Sequence, residues 1–122
     1  MAMEIKRFDV CLANLDPTIG SEIKNIRLSL IISPDEMNRH IRTVIVAPMI
    51  TSGKDYPTRV ACYFKNKKGQ IVLDQAWTID KTRLIKNLGT IDSDTQLKVF
   101  PYCSDYLPSN VGYFFQMIFK FG

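Results

Sequence analysis

Histidine is nearly missing from this chain, and no spacing makes its few cysteines useful. His40 is the sole histidine, and Cys11, Cys62 and Cys103 lie too far apart for a CxxC metal or redox motif. An odd cysteine count with no such motif reads as three small buried or half-buried hydrophobes in a reducing compartment. His40, between Arg39 and Arg42, reads as a surface residue with no evident catalytic partner. There is no GxSxG elbow, no P-loop and no HExxH helix, which removes the common hydrolase, nucleotide-cradle and zincin chemistries. No metal and no cofactor are expected. No apolar run approaches the roughly 20 residues that span a bilayer, and "MAMEIKRFDV" has no h-region. A cytoplasmic protein with no membrane contact is the expectation. Strands and helices do not alternate as βαβ units, which excludes a Rossmann-like sheet. Internal repeats and linkers are missing too, so residues 1–122 are assigned to one domain.

What remains is ordinary in bulk and specific in detail. A chain of 122 residues, 46% hydrophobic and 23% charged, has the composition of a globular domain with one core. Its net charge of +4 and pI near 9.0 tilt the choice of partner towards anions, nucleic acid among them.

Residues 8–14, "FDVCLAN", alternate like a half-buried strand, while 28–33, "LSLIIS", and 43–49, "TVIVAPM", are β-branched runs of buried strands. Between them "SPDEMN" predicts a helical turn, with Ser33 as N-cap, Pro34 at the first helical position and Glu36 closing a capping box. Residues 58–64 and 70–76 predict a hairpin around the five-residue loop "KNKKG". Residues 80–89, "DKTRLIKNLG", open on an aspartate and stop at Gly89, which predicts a short helix. Ser93 and Gln96 predict a capping box for a last helix that Pro101 ends. The sum is a mainly β protein with short helices, built as a small, strongly curled antiparallel sheet or barrel.

The chemistry concentrates in two polar loops that leave strand ends. In "DPTIGSEIKNIR" (16–27), Gly20 permits a tight bend, and Ser21 with Glu22 can hydrogen-bond its far side. Arg27 stands at the start of a buried strand, where a rigid root suits a planar phosphate clamp. Composition alone leaves it open between that role and a surface arginine paired with Glu22 or Asp16. The second loop, "APMITSGKDYPTR", carries Thr51, Ser52, Lys54 and Arg59 after Pro48. If the two strands are neighbours, the loops converge on a basic groove suited to phosphoryl chemistry on RNA.

The stretches "KRFDVCLANLDPTIGSEIKNIR", "SPDEMNRHIRTVIVAPMITS", "YPTRV" and "LDQAWTIDKTRLIKNLGTID", in this order over residues 6–98, resemble the MazF/PemK family of toxins. The resemblance implies an SH3-like antiparallel barrel of the MazF/CcdB-like kind with a C-terminal helix, usually a homodimer. It implies metal-independent cleavage of single-stranded RNA, in which the RNA 2′-hydroxyl attacks the next phosphate and leaves a 2′,3′-cyclic phosphate and a 5′-hydroxyl. It maps the catalytic pair to Arg27 and Thr51, and RNA contacts to Ser21, Glu22, Lys24, Ser52, Lys54 and Gln75. Glu22 and a desolvated Arg27 are the candidates for the base that takes the 2′-proton. An acidic antitoxin is the implied partner. A similar fold also serves gyrase-directed toxins, and a module that binds RNA or antitoxin without cutting is the other alternative. Four features depart from the family pattern. Phe8 replaces a usual glycine, Leu28 replaces a proline after the arginine, and Ile50 stands at the family threonine with Thr51 one place later. The chain beyond residue 98, "PYCSDYLPSNVGYFFQMIFKFG" included, predicts an atypical or shortened last helix.

Overall fold

The protein is described by a computed structural model over residues 3–16, 25–51 and 53–107, with side chains to residue 103. Its strands are β1 (Asp9–Asn14), β2 (Ile26–Ile31), β3 (Thr43–Ile50), β4 (Arg59–Phe64), β5 (Lys67–Val72), β6 (Trp77–Asp80) and β7 (Leu84–Thr90). Two α-helices, α1 (Asp35–His40) and α2 (Ser93–Leu107), and two short 3-10 turns complete the described elements. The strands pair in the order β4-β5-β3-β2-β1-β7, with β6 also on β3, and every pairing is antiparallel. Along β3 the partner changes: Thr43 to Val46 pair with β6, and Met49 and Ile50 pair with β5. A strand that serves two sheets in this way makes a corner, and the expected antiparallel sheet curls there into a half-barrel.

Both faces of the central strands are buried, and the side-chain period of two sorts their residues. Val10, Leu30, Ile45, Ala47 and Met49 enter one cluster, which α2 closes with Val99 and Cys103. Cys11, Ala13, Ile31, Val44 and Val46 enter the other, with Ile79 and Leu84. The β-branched runs therefore became buried strands for the reason the sequence suggests. Each surrounds its backbone with apolar side chains on two sides.

Several local expectations are corrected. Ser33 does not cap α1: Pro34 is the cap residue, and no side chain bonds the helix start. Ser33 Oγ instead donates to Asn38 Oδ1 and accepts from Ile45 N–H at 3.2 Å, tying α1 to β3 inside the core. The β4–β5 hairpin turns on two residues, Lys65 and Asn66, both at positive φ (49° and 66°), so Lys67 to Gly69 belong to β5 and not to a loop. Strand β5 ends at Val72, and Leu73–Gln75 form a 3-10 turn. Residues 80–89 are not a helix. Asp80 accepts from Thr82 N–H at 2.9 Å and caps a single 3-10 turn, Lys81–Arg83, before the chain runs on as β7 against β1. Pairing along β1 overrides the local helix signals.

The last helix opens on Asp92, whose carboxylate accepts from Thr95 N–H at 3.2 Å, while Gln96 Nε2 donates to Ile91 O. Ser93 is thus the first helical residue and not the cap. Pro101 lies inside α2 and does not end it. A proline removes the bond to the carbonyl four residues back, here that of Leu97, and both Leu97 and Pro101 face solvent. Water can serve that carbonyl, so the helix continues for another turn. Tyr102 O–H donates to Pro57 O and pins α2 beside β4. The aromatic tail from residue 108 lies outside the described residues.

Candidate functional site

The stem of the β1–β2 loop is held by a relay of polar contacts. Asn14 Oδ1 accepts from Asp16 N–H at 3.1 Å, and Asp16 Oδ1 accepts from Asn25 N–H at 2.8 Å. Leu15 N–H donates to Asn25 O at 2.9 Å, and Arg83 donates to the carbonyls of Asn14 and Asp16. Asn25 Oδ1 then accepts from Arg27 Nε at 2.7 Å. Arg27 therefore has its Nε committed to Asn25, and among the described residues its two terminal amino groups make no hydrogen bond or ion pair, which suits them to an anion. Asp16 is buried, and its Oδ2 has no hydrogen-bond partner among the described residues.

Arg27 lines a hollow of about 440 Å³ with Leu15, Asn25, Pro48, Ile50, Gln75 and Trp77. The register explains this company. Arg27 stands opposite Ala13, and Ser29, two residues on, stands opposite Pro48. Arg27 thus shares the sheet face of Pro48 and Ile50, by the period of two. Gln75 reaches the same hollow from the turn between β5 and β6. The structure brings Arg27 and Gln75 together.

It does not bring Thr51 to them. Strand β3 runs regularly to Ile50, so Thr51 falls on the opposite face with Met49. Thr51 lines a second hollow of about 270 Å³, whose floor is Leu28, Met49, Ile50, Cys62, Phe64 and Leu88 and whose rim carries Lys65, Lys67 and Lys68. Ile50 borders both hollows. Lys54 is exposed and lines neither. Ser21, Glu22, Lys24 and Ser52 lie outside the described residues. His40 is exposed at the end of α1. Sequence reasoning missed Trp77 as a lining residue. Its signal was an aromatic side chain one residue beyond the polar Asp74–Gln75 pair, across Ala76.

The thiols have no chemistry to offer here. Burial pushes the Cys11 thiol up to about 12, with the nearby Asp9 carboxylate adding to the effect. Burial also raises Cys62 and Cys103. All three are thiols at neutral pH, not thiolates. Among the described residues no three His, Cys, Asp or Glu side chains stand close enough to share a metal ion, and no helix is long and apolar enough to cross a membrane.

Known proteins resemble this chain over most of its length. The model of the PemK-like, MazF-like toxins of type II toxin–antitoxin systems matches residues 6–100. The chain belongs to this toxin family. It is 38% identical to the endoribonuclease MazF of Staphylococcus epidermidis over 102 residues, which are 78% of this chain and 84% of that protein. Its identity to the endoribonuclease EndoA of Bacillus subtilis (strain 168) is also 38%, over 104 residues, 80% of this chain and 89% of that one. Among solved structures, a mycobacterial endoribonuclease in complex with its cognate antitoxin superposes with a TM-score of 0.70 at 24% identity, covering 85% of this chain and 95% of that one. MazF from Deinococcus radiodurans gives 0.68 at 21% identity, covering 84% and 96%. These structural likenesses speak to the fold.

Within the family frame, the departure at Phe8 has a visible cost. Its φ is +76°, the left-handed region where glycine is at ease and a bulky side chain is strained. The conformation is held from both sides: Phe8 N–H donates to Ile31 O at 2.7 Å, and Phe8 O accepts from Ile91 N–H at 3.1 Å. Leu28, at the position of the usual proline, is half-buried and packs against the first core cluster.

Proposed function

We propose that this chain is the toxin of a type II toxin–antitoxin pair, a metal-independent endoribonuclease that cuts single-stranded mRNA at short preferred sequences in the cytoplasm. It works as a homodimer and is silenced by an acidic antitoxin. The observation that carries the reading is Arg27, held through Asn25 at the start of β2 and lining a hollow with Gln75. The RNA supplies its own nucleophile, the 2′-hydroxyl, and attack on the adjacent phosphorus expels the 5′-oxygen of the next nucleotide. Arg27 bonds the non-bridging oxygens as negative charge gathers on them, which is where a fixed cation lowers the barrier most. A guanidinium is always charged, so Arg27 stabilises well and serves poorly as a base. Thr51 completes the proposed pair as a hydrogen-bond donor to an RNA strand that passes over Ile50. Ser21, Glu22, Lys24, Ser52 and Lys54 extend the RNA contacts, and Glu22 is the carboxylate available to take the 2′-proton.

One observation favours the second reading, a module that binds RNA or antitoxin without cutting. Ile50, not a hydroxyl, occupies the Arg27 face at the end of β3. Three proteins separate the two readings on one long unstructured RNA, with and without EDTA. The wild type cuts in EDTA and leaves cyclic phosphate ends. Arg27→Ala keeps the fold and loses about 10²–10³ in rate. Ile50→Thr, which returns a hydroxyl to the Arg27 face, cuts faster than the wild type. A wild type that binds the RNA but leaves it whole supports the binding module. Full activity in Arg27→Ala removes the clamp.

A further inference from the structure

Trp77 is the sole tryptophan of the chain and is 39% exposed, beside Arg27 in the same hollow. Its backbone is held as the first residue of β6, opposite Val46 in the β3 ladder. Two residues on, Ile79 is buried in the second core cluster. By the period of two, Trp77 lies on that same face, where the apolar cover ends and the hollow begins. An indole so placed has a fixed attachment and an open surface. Elsewhere among the described residues, aromatic rings receive a cation: Phe8 and Phe100 from Arg7, Tyr56 from Arg59, and Phe64 from Lys65. Trp77 has no cation over it among these contacts.

The combination suits a nucleotide. Arg27 supplies charge for a phosphate, Trp77 a π-face for a base, and Gln75 an amide that can both donate to and accept from a base edge. About 440 Å³ lies within the range of small-molecule pockets. We propose that Trp77 is a base-stacking platform that seats the nucleotide next to the phosphate on Arg27 and selects a purine there, because the larger ring system overlaps more of the indole. The inference rests on the RNA reading above and adds to it a specificity-determining residue. Trp77 positions the substrate and takes no part in the proton transfers.

The lone tryptophan is its own reporter. Non-cleavable 2′-O-methyl oligonucleotides, oligo(A), oligo(U) and an abasic strand of equal length, are titrated while tryptophan fluorescence and the anisotropy of an end label are followed together. Stacking predicts strong quenching by oligo(A), weaker quenching by oligo(U) and little by the abasic strand, with affinities in that order. Trp77→Ala loses roughly 10- to 100-fold in affinity for oligo(A), the loss of one base stack, and little for the abasic strand. Trp77→Phe keeps most of the affinity. Size-exclusion profiles of both variants should match the wild type. Equal binding of oligo(A) and the abasic strand, or binding that leaves the fluorescence unchanged, overturns the platform while leaving the Arg27 reading intact. A Trp77→Phe variant that changes oligomeric state overturns it too, by making the indole an interface residue. A wild type that binds none of the three strands strikes at the RNA reading itself, and the platform falls with it.

Discussion

Phe8 shows how one side chain can hold a backbone it does not suit. A left-handed φ costs a residue with a Cβ roughly 1–2 kcal/mol, and glycine avoids that cost. The half-buried ring packs on the first core cluster, with the Arg7 guanidinium 5.9 Å from its centre, and this offsets the strain. Removing the ring while keeping the Cβ is therefore the worst exchange. In denaturant unfolding, Phe8→Gly should be about 1 kcal/mol more stable than Phe8→Ala, although alanine usually exceeds glycine by roughly 0.5–1 kcal/mol inside regular structure. The two midpoints decide it, and an alanine variant as stable as the glycine one would mean that residue 8 is not left-handed. The sequence displays the substitution of glycine by phenylalanine. It cannot display φ, which is set by Ile31 and Ile91 from far along the chain.

At the level of elements, the strands were the readable part, because a run such as "TVIVAPM" has no stable home except between two apolar layers. The turns and caps were less so. "DKTRLIKNLG" carries an aspartate cap and a terminal glycine, and only the cap survives, since β1 offers the segment a ladder to join. Gly69 is a second case. It looks like a loop glycine but sits within β5, where the Ile50 carbonyl would stand 2.8 Å from an added Cβ. A strand glycine of this kind marks a close backbone approach. Gly69→Ala must push β5 away from the end of β3, where Gln70 pairs with Ile50. A loss of about 1–3 kcal/mol is expected, in the range of overpacked cores. Because Ile50 borders both hollows, RNA cleavage should fall as well. Thermal unfolding and a cleavage assay on the same sample test this, and an unchanged melting temperature would show that the strands have slack there. The position of Thr51 belongs to this scale also. Its identity is plain in the sequence, but its face depends on β3 staying regular up to Ile50, which no local signal announces.

Across the whole molecule, the charge is modest in sum and uneven in place. A net +4 over 122 residues gives little long-range field. The rim of the second hollow, however, gathers Lys65, Lys67 and Lys68 around an apolar floor, and Arg27 lies across Ile50 from it. The proposed antitoxin, an acidic segment that folds on binding, would meet this surface first through charge and then through burial. These two contributions separate in the kinetics. Exposed charges are screened beyond a Debye length, about 10 Å at 0.1 M salt and 3 Å at 1 M, so encounter should slow as salt rises. The apolar contacts formed afterwards depend much less on salt, so dissociation should hardly change. With the protein encoded beside this one as the ligand, the association rate should fall at least tenfold between about 0.05 and 0.5 M salt, with a dissociation rate constant within about threefold. Stopped-flow mixing gives the first and chase by unlabelled partner the second. An association rate indifferent to salt would mean that the lysine rim takes no part in capture, and that the partner is chosen by apolar fit alone.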